Sequence, residues 1–530
     1  VKLAQPGKIK DNTFVGEPRV DFTSQRPVAV SAGVHVVGAA LPHPDLSDPI
    51  TAIGGACKRF LSKPPDAEPD LLARFRSFVQ GWLKDNLVPL PSDSNDDFYH
   101  WLDNTNYPLW RRSQLINKYE QITDKFRRRY KRVSNFVKDE FYREWKHARG
   151  INSRSDEFKC LTGPIFKLIE EVVYQHPSFI KHVPVAERPD YIYNLLFREG
   201  STYFASDYSS YEALFTPEMM DSCEFELYRY MVQNLPGGAD WLRLIECLKG
   251  RNLVVNKYFD MKVDGTRMSG EMCTSLGNGF TNLMLMLFLC KLKGCTDVNG
   301  VVEGDDGLFA LNGSPPTSED FAKLGFIIKI QTFTDLSQAS FCGLIFDTGD
   351  RINIACPLRV LATTGWLNRF YVNSKSTKRK RLLRCKALSL LQQYPGAPII
   401  QSFAQYILRC TRGINIGNIL DQDRSLNFWR REVLLKAIRD ERNIKPRVVP
   451  MNTRLLMEKI FNVPLLDQLY IEKYFDQRNE LGPIDDPVIL SLMPDVWHEN
   501  YDCYSRPYPV MVDPPDLPGR DPSFKVQIVY

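Results

Sequence analysis

Asn299 to Leu311 alternates as two short strands around Gly304-Asp305-Asp306, and this acidic turn narrows what the chain can fold into more than any other feature. A hairpin with paired carboxylates at its tip needs a sheet to lie in. Thr202 to Ser206 reads as a buried strand that ends on a third acid, Asp207. Two such strand ends placed side by side would offer hard oxygen ligands from separate backbone elements. An in-line displacement needs that arrangement, with one divalent cation near the attacking oxygen and one near the leaving oxygen. Taken alone, a Gly-Asp-Asp tripeptide reads first as a solvated hairpin turn.

The rest of the sequence supplies the material for a large protein. The chain has 530 residues, 43% of them hydrophobic and 25% charged, which excludes global disorder. Lys plus Arg number 68 against 63 Asp plus Glu, so net charge by itself does not declare a polyanionic partner. Local clusters do more: Arg127-Arg128-Arg129-Tyr130-Lys131-Arg132, and Lys375 with Lys378-Arg379-Lys380-Arg381, are places where RNA phosphates could track, or else solvated faces. The 12 cysteines form no Cys-x-x-Cys pair, which fits reduced thiols and argues against a zinc ribbon or a disulfide scaffold. The longest purely apolar run, Leu283 to Cys290, falls far below the ~20 residues a spanning helix needs, so no transmembrane segment is expected.

Along the chain, residues 1–60 are rich in Pro, Gly and Val and read as irregular strands and loops. Helical spacing is predicted for Asp66 to Leu83, Leu109 to Val137, Pro164 to Tyr174 and Leu382 to Arg412. Thr216-Pro217-Glu218 opens a helix with an N-cap, a first-turn proline and an early acid. The last fifty residues, with Pro514, Pro515 and Pro518, read as an extended tail over the body. Between these elements Ser269-Gly270 is followed by Thr274 and Asn278 and then by a helix to about Lys291. A glycine there permits a mobile loop, and hydroxyl and amide groups at helix-start spacing can hold a ribose or a base pair.

In order and spacing these segments resemble the motifs of viral RNA-dependent RNA polymerases. Asp207-Tyr-Ser-Ser-Tyr-Glu212 is similar to their A motif, Ser269-Gly270-x3-Thr274-x3-Asn278 to the B motif and Gly304-Asp305-Asp306 to the C motif. Lys138-Asp139-Glu140 with Lys146, Arg149 and Arg154 resembles the basic F motif, and Thr105-Asn106-Tyr107-Pro108 the template-guiding G motif. Leu324-Gly325-Phe326 through Lys329 resembles the D motif, and Phe341-Cys342-Gly343 the E motif. The resemblance covers residues 100 to 350 and lies nearest to polymerases of positive-strand RNA viruses, of the tombusvirus-like or nodavirus-like groups.

The resemblance implies an α+β right-hand polymerase with fingers, palm and thumb, its antiparallel palm sheet backed by helices. The implied boundaries are 1–60 for an N-terminal extension bridging fingers and thumb, 61–200 for fingers and 201–232 for palm with the A motif. They continue with 233–264 for a fingers insertion, 265–355 for palm with the B to E motifs, 356–480 for thumb and 481–530 for a C-terminal tail. It implies Asp207 and Asp305 as the principal ligands of two Mg2+ ions, replaceable by Mn2+, with Asp306 adjacent. Lys138, Arg149 and Arg154 would meet the triphosphate, where a guanidinium fork suits paired phosphate oxygens. Glu140 is expected to pair with these cations. Lys329, with Lys323 as its rival, would hand a proton to the departing pyrophosphate. Ser269, Thr274 and Asn278 would lie along the nucleotide.

Glu212 departs from the family, whose second A-motif acid is usually Asp. With Asn278 it would sense the 2′ hydroxyl, one methylene further out. The implied partners are RNA template and product, ribonucleoside triphosphates and other viral replication proteins, in host cytoplasm at membrane-associated replication complexes reached through those proteins. Two rival readings share the carboxylates: an enzyme with a DNA product, against which Glu212 and Asn278 speak, and a non-catalytic RNA-binding scaffold, against which the retention of Asp207, Asp305 and Asp306 speaks.

Overall fold

The computed structural model describes residues 12–17, 19, 29–126, 128–367, 371–416 and 428–505. Arg127 of the first basic run, and Pro514, Pro515 and Pro518 of the expected tail, lie outside the described residues. In chain order the strands are β1 (Thr13–Phe14), β2 (Val30–Ser31), β3 (Arg132–Val137), β4 (Gly150–Ser153), β5 (Thr202–Tyr208) and β6 (Arg251–Val255). They continue with β7 (Asp260–Asp264), β8 (Thr296–Glu303), β9 (Asp306–Asn312), β10 (Ile328–Phe333), β11 (Ile345–Phe346), β12 (Asn353–Ile354) and β13 (Trp366–Leu367).

The acidic turn lies in a four-stranded antiparallel sheet of order β10-β5-β9-β8. The central strand β5 is buried along Tyr203 to Ser206, because helices cover one face and a second apolar cluster the other. The helix Thr274–Leu292 buries Leu276 to Met286 almost without interruption, so it lies inside the core rather than on its surface. That explains why its sequence is apolar all round. Next to it pack Pro217–Ser222 and Glu224–Val232, one helical run broken at Cys223. The structure is thus α+β with an antiparallel sheet backed by helices, as expected.

A second sheet of five strands, order β1-β7-β6-β3-β4, is mixed: β3 pairs with β6 in parallel and with β4 antiparallel. It overturns part of the expected helix from Leu109 to Val137. That helix stops at Glu120, and Arg132–Val137 is a strand. Val133 and Val137 face inward while Arg132 and Ser134 face out, a period of two that wins because β4 and β6 offer ladder partners on both sides. The first basic run therefore spans a 3-10 turn, Arg128–Lys131, and the start of β3 rather than one helical face.

The expected helices at Asp66, Pro164 and Leu382 form with other bounds. They run Pro69–Asn86, Asp156–Val173 with Pro164 in its interior, and a pair, Ser376–Gln393 and Ile400–Cys410. Tyr394-Pro395-Gly396 breaks the last, since proline cannot continue the ladder. Two expectations at the ends are corrected. Within residues 1–60, Pro49–Ala56 is a helix, started by the Asp48 side chain accepting from the Thr51 amide, with proline in the first turn. Within the expected tail, Pro487–Ser491 and Asp495–Ser505 are helices, and Ile489, Trp497 and, between them, Met493 enter a core.

That core is built from the C-terminal helices and, unexpectedly, from Ala32, Val34, Val36, Ala39 and Leu41. β2 pairs with β13, and Val36 bridges to Ile484. A few residues on, Ala52, Ala56 and Phe60 pack on the five-stranded sheet instead. The N-terminal stretch thus ties two bodies together.

Candidate active site

The three aspartates meet where β5 ends and the β8–β9 hairpin turns. Ser206 pairs with Gly307, and the next residue of β5 is Asp207, one step from Asp306 across the ladder. On the other side Asp207 pairs directly with Lys329 of β10, so their side chains leave the same face. Between Asp207 and Glu212 the chain turns through Ser210, a non-glycine residue at φ 55°. Backbone in this region costs energy and persists only where surroundings dictate it, typically at functional sites.

The carboxylates sense one another. Desolvation in the cleft, then the charges of Glu212 and Asp207, push Asp305 above the ordinary carboxylate range despite Arg149. Asp306 is pushed up to about 7 by desolvation, then by Asp305, Glu303 and Asp207, against a hydrogen bond with Cys342. Crowded acids of this kind favour binding of cations. Among the described residues no three His, Cys, Asp or Glu side chains gather tightly enough to enclose a metal by themselves. A magnesium ion uses one or two carboxylates and completes its shell with water and substrate phosphates, so hard oxygens on two adjacent strand ends fit it.

The acidic turn is pinned from behind by Asn282, which sequence reasoning missed. Its amide donates to the carbonyls of Asp305 at 3.1 Å and Gly304 at 3.4 Å, and its Oδ1 accepts from the Tyr208 hydroxyl at 3.1 Å. The only advance signal was its place four residues after Asn278 on the same helix.

Above the aspartates stands the β3–β4 hairpin. Lys138 and Arg149 face each other across it, the Lys138 amide donating to the Arg149 carbonyl at 2.7 Å. Glu140 holds both side chains, with Lys138 Nζ at 3.0 Å and Arg149 Nε at 3.6 Å. Burial disfavours the Arg149 charge, but Glu140, Glu212 and Asp305 more than restore it, so this guanidinium feels the acids of the hairpin turn as well as its own hairpin. Arg154 does not join them. Only 3% exposed, it binds Glu271 Oε1, the Tyr130 carbonyl, Asn252 Oδ1 at 2.8 Å and the Cys247 carbonyl at 3.3 Å. The structure gives this arginine to the interior, where it clamps the strands together.

The loop before the Thr274–Leu292 helix closes the site. Gly270 has φ 124°, and a Cβ there would come within 2.7 Å of the Asn152 carbonyl, so only glycine fits. The Thr274 hydroxyl accepts from the Gly270 amide and donates to the Met268 carbonyl, both at 3.2 Å, so it holds the loop. Ser269 Oγ donates to Glu212 Oε1 at 2.7 Å, while Arg59 Nη1 lies 3.0 Å from Glu212 Oε2. Burial opposes the Glu212 charge, yet Arg59, Arg149 and Ser269 hold its carboxyl below the usual range. Asn278 is buried, with Oδ1 lacking a hydrogen-bond partner. Arg59, far from every motif, was invisible to motif reasoning. Thr105 to Pro108 forms a loop whose Asn106 carbonyl accepts from Arg431 at 2.8 Å. At Phe341-Cys342-Gly343 the chain makes a tight turn with Cys342 at φ 53°.

Acids thus meet at adjacent strand ends of a helix-backed antiparallel sheet, beside a basic hairpin. Residues 223–479 match the family model described as viral RNA dependent RNA polymerase. The RNA-directed RNA polymerase of Panicum mosaic virus (strain United States/Kansas 109S) is 27% identical over 229 residues, 41% of this chain. The aligned region spans 22% of that relative's length, about a fifth. The family model thus matches just under half of the chain, and both comparisons are likenesses to viral RNA-dependent RNA polymerases. The family match starts at Cys223, so it takes in Ser269, Thr274, Asn278, Asp305, Asp306 and Lys329 but stops short of Asp207, Glu212, Lys138 and Arg149. Among the described residues no helix is long and apolar enough to cross a membrane.

Proposed function

We propose that this chain catalyses template-directed RNA synthesis from ribonucleoside triphosphates on an RNA template, replicating a viral genome. The observation that carries the reading is the juxtaposition of Asp207 with both Lys329 and the Asp305-Asp306 turn, under an Arg149 whose charge is coupled to Asp305. Asp207 and Asp305 would hold two Mg2+ ions, or Mn2+ in their place, which when bound lower the pKa of the primer hydroxyl and stabilise the pyrophosphate. The chain's own groups do the rest. Arg149 and Lys138 neutralise the triphosphate and orient it for in-line attack. Glu212, Ser269 and Asn278 face the sugar, and Thr274 fixes the loop that carries Ser269. Lys329, beside Asp207, delivers a proton to the leaving pyrophosphate.

In this reading the four-stranded sheet and its helices are the palm, the β3–β4 hairpin and its sheet belong to the fingers, and the C-terminal helices form the thumb. Residues 30–61 strap fingers to thumb, which is supported by their packing in both cores. The basic start of the Ser376–Gln393 helix would lie along product RNA. Other viral replication proteins would bring the enzyme to membrane-associated complexes in host cytoplasm.

The test is incorporation on a homopolymer template with Mg2+ or Mn2+, by the unaltered chain and by Asp305→Asn. The unaltered chain incorporates ribonucleotides, and Asp305→Asn loses incorporation while keeping most RNA affinity, because a metal ligand is lost but the phosphate-binding surface remains. Near-normal turnover by Asp305→Asn would sink the assignment. A preference for deoxynucleotides would favour the DNA-making rival.

A further inference from the structure

The guanidinium that meets Glu212 comes from outside every motif. Arg59 sits in a π-helical turn, Cys57–Leu61, that continues the Pro49–Ala56 helix. Such a turn inserts one residue into a helix, re-aims the side chains around it, and is found disproportionately at functional sites. The helix stands directly on the β3–β4 hairpin, with Gly55 so close to the Ala148 carbonyl that no Cβ fits between them. Arg59 and Arg149 line one shallow recess between helix and hairpin.

Three observations concern the same acid. First, both Glu212 oxygens are engaged, Oε2 by Arg59 at 3.0 Å and Oε1 by Ser269 at 2.7 Å, which fixes the carboxylate in one pose. Second, Arg59 Nε is buried without a hydrogen-bond partner, and so is Asn278 Oδ1. One is a donor, the other an acceptor. Third, the two ends of this arrangement are joined through backbone: the hydroxyl of Tyr211, the residue before Glu212, donates to the Asn278 carbonyl at 3.2 Å. Buried polar groups in native proteins find partners, and leftover ones require an explanation. A ligand that offers a hydroxyl to Asn278 and an oxygen acceptor to Arg59 would satisfy both, and a ribonucleotide carries each.

We propose that Arg59 is a positioning residue for sugar selection, holding the Glu212 carboxylate in the pose that meets the ribose 2′ hydroxyl of the incoming nucleotide. The inference rests on the polymerase reading above and adds to it: discrimination between the two sugars depends on the N-terminal segment as well as on the palm. A site built to bond a hydroxyl rejects the sugar lacking it through the group left unpaired, and that mechanism works only if the group is held in place.

The experiment compares kcat/KM for a ribonucleotide and its deoxy counterpart in the unaltered chain, Arg59→Gln, Arg59→Lys, Glu212→Gln and the double variant Arg59→Gln/Glu212→Gln. A defect in folding scales both efficiencies alike and cancels from their ratio. The ratio falls by roughly 10- to 100-fold in Arg59→Gln, the factor corresponding to loss of one charge-assisted hydrogen bond. Arg59→Lys, which keeps the charge without the fork, restores part of it, and should Arg59→Gln prove insoluble its intermediate ratio carries the test. The double variant shows no loss beyond Glu212→Gln, since the two residues act as one unit. An unchanged ratio in both Arg59 variants, or additive losses in the double, overturns the inference while leaving the polymerase reading intact. Absence of ribonucleotide incorporation by the unaltered chain overturns both.

Discussion

The side-chain amide of Asn282 donates to the backbone carbonyl of Asp305 at 3.1 Å, and through Tyr208 the same asparagine holds the strand that carries Asp207. One residue, two turns into a buried helix, thus fixes the separation of the two acids expected to share the metals. Asn282→Ala removes its three hydrogen bonds and leaves the buried Tyr208 hydroxyl without its acceptor, at a cost of about 1–3 kcal/mol in stability. Because misplacing reacting groups by an ångström can cost on the order of a hundredfold, kcat falls by roughly 10- to 100-fold with the nucleotide KM little changed. Steady-state kinetics beside a thermal melt checks this; a normal kcat in a destabilised protein would show that the acidic turn keeps its shape without Asn282.

Arg149 and Arg154 lie five residues apart and should respond to mutation in opposite ways. Arg149 is half-exposed over the cleft, so Arg149→Ala raises the nucleotide KM through loss of a charge-assisted contact worth roughly 1.5–3 kcal/mol and leaves the melting temperature nearly unchanged. Arg154 and Glu271 are each 3% exposed, and Arg154→Ala strands a buried carboxylate. Removing one partner of a buried pair costs about 3–5 kcal/mol, so that variant loses stability first and activity as a consequence. Equal effects on KM and melting for the two variants would refute the distinction.

His176 supplies a pH dependence away from the acids. Its Nδ1 accepts the Ser178 amide at 3.3 Å, which requires the neutral ring, and it packs against Trp82 with ring centroids 5.1 Å apart. Burial lowers its pKa below the ordinary 6.5. The unfolded chain then takes up a proton before the native one, so stability is intact above about pH 6.5 and is lost as pH falls below that value toward the native pKa. Ser178 in turn holds β8 through the Val302 amide at 2.7 Å. Melting temperature measured from pH 8 down to 5 should therefore drop less steeply in His176→Asn than in the unaltered chain. Parallel curves would remove His176 as the source.

The legible part of this molecule was the part where chemistry constrains sequence. Asp207 lies near the end of a strand, Gly304-Asp305-Asp306 lies at a hairpin turn and Gly270 sits at φ 124°, local features that strand and turn chemistry make readable in sequence. The Lys138–Arg149 hairpin was foreseen as a basic element, but Arg154 at its edge was not separable from Arg149 by sequence. Both are arginines near acids, and only the fold shows that one faces the cleft and the other Glu271. Arg132–Val137 was misread as helix because six residues carry too few repeats to tell a period of two from one of 3.6 without the neighbouring strands. Arg59 and Asn282 were missed for a different reason: what they do depends on which residues of distant segments they meet.

The last prediction separates two lysines. Lys329 pairs with Asp207 across β10 and β5, so its side chain leaves the sheet on the same face as that acid. Lys323 instead follows the Ser318–Ala322 helix, and its carbonyl accepts the Glu68 amide at 2.8 Å, which ties that residue to the Pro69–Asn86 helix. A proton donor must reach the leaving oxygen, and only Lys329 is anchored beside the reacting groups. Lys329→Gln should lower kcat by roughly 10²- to 10⁴-fold, the usual contribution of general-acid catalysis, with a much smaller change in nucleotide KM. Lys329→Arg keeps the positive charge but hardly gives up its proton, so it should leave nucleotide KM near normal without restoring kcat. Lys323→Gln should leave both parameters near normal. A kcat loss confined to Lys323→Gln would move the general acid to that residue, and full recovery of kcat by Lys329→Arg would show that Lys329 contributes charge rather than a proton.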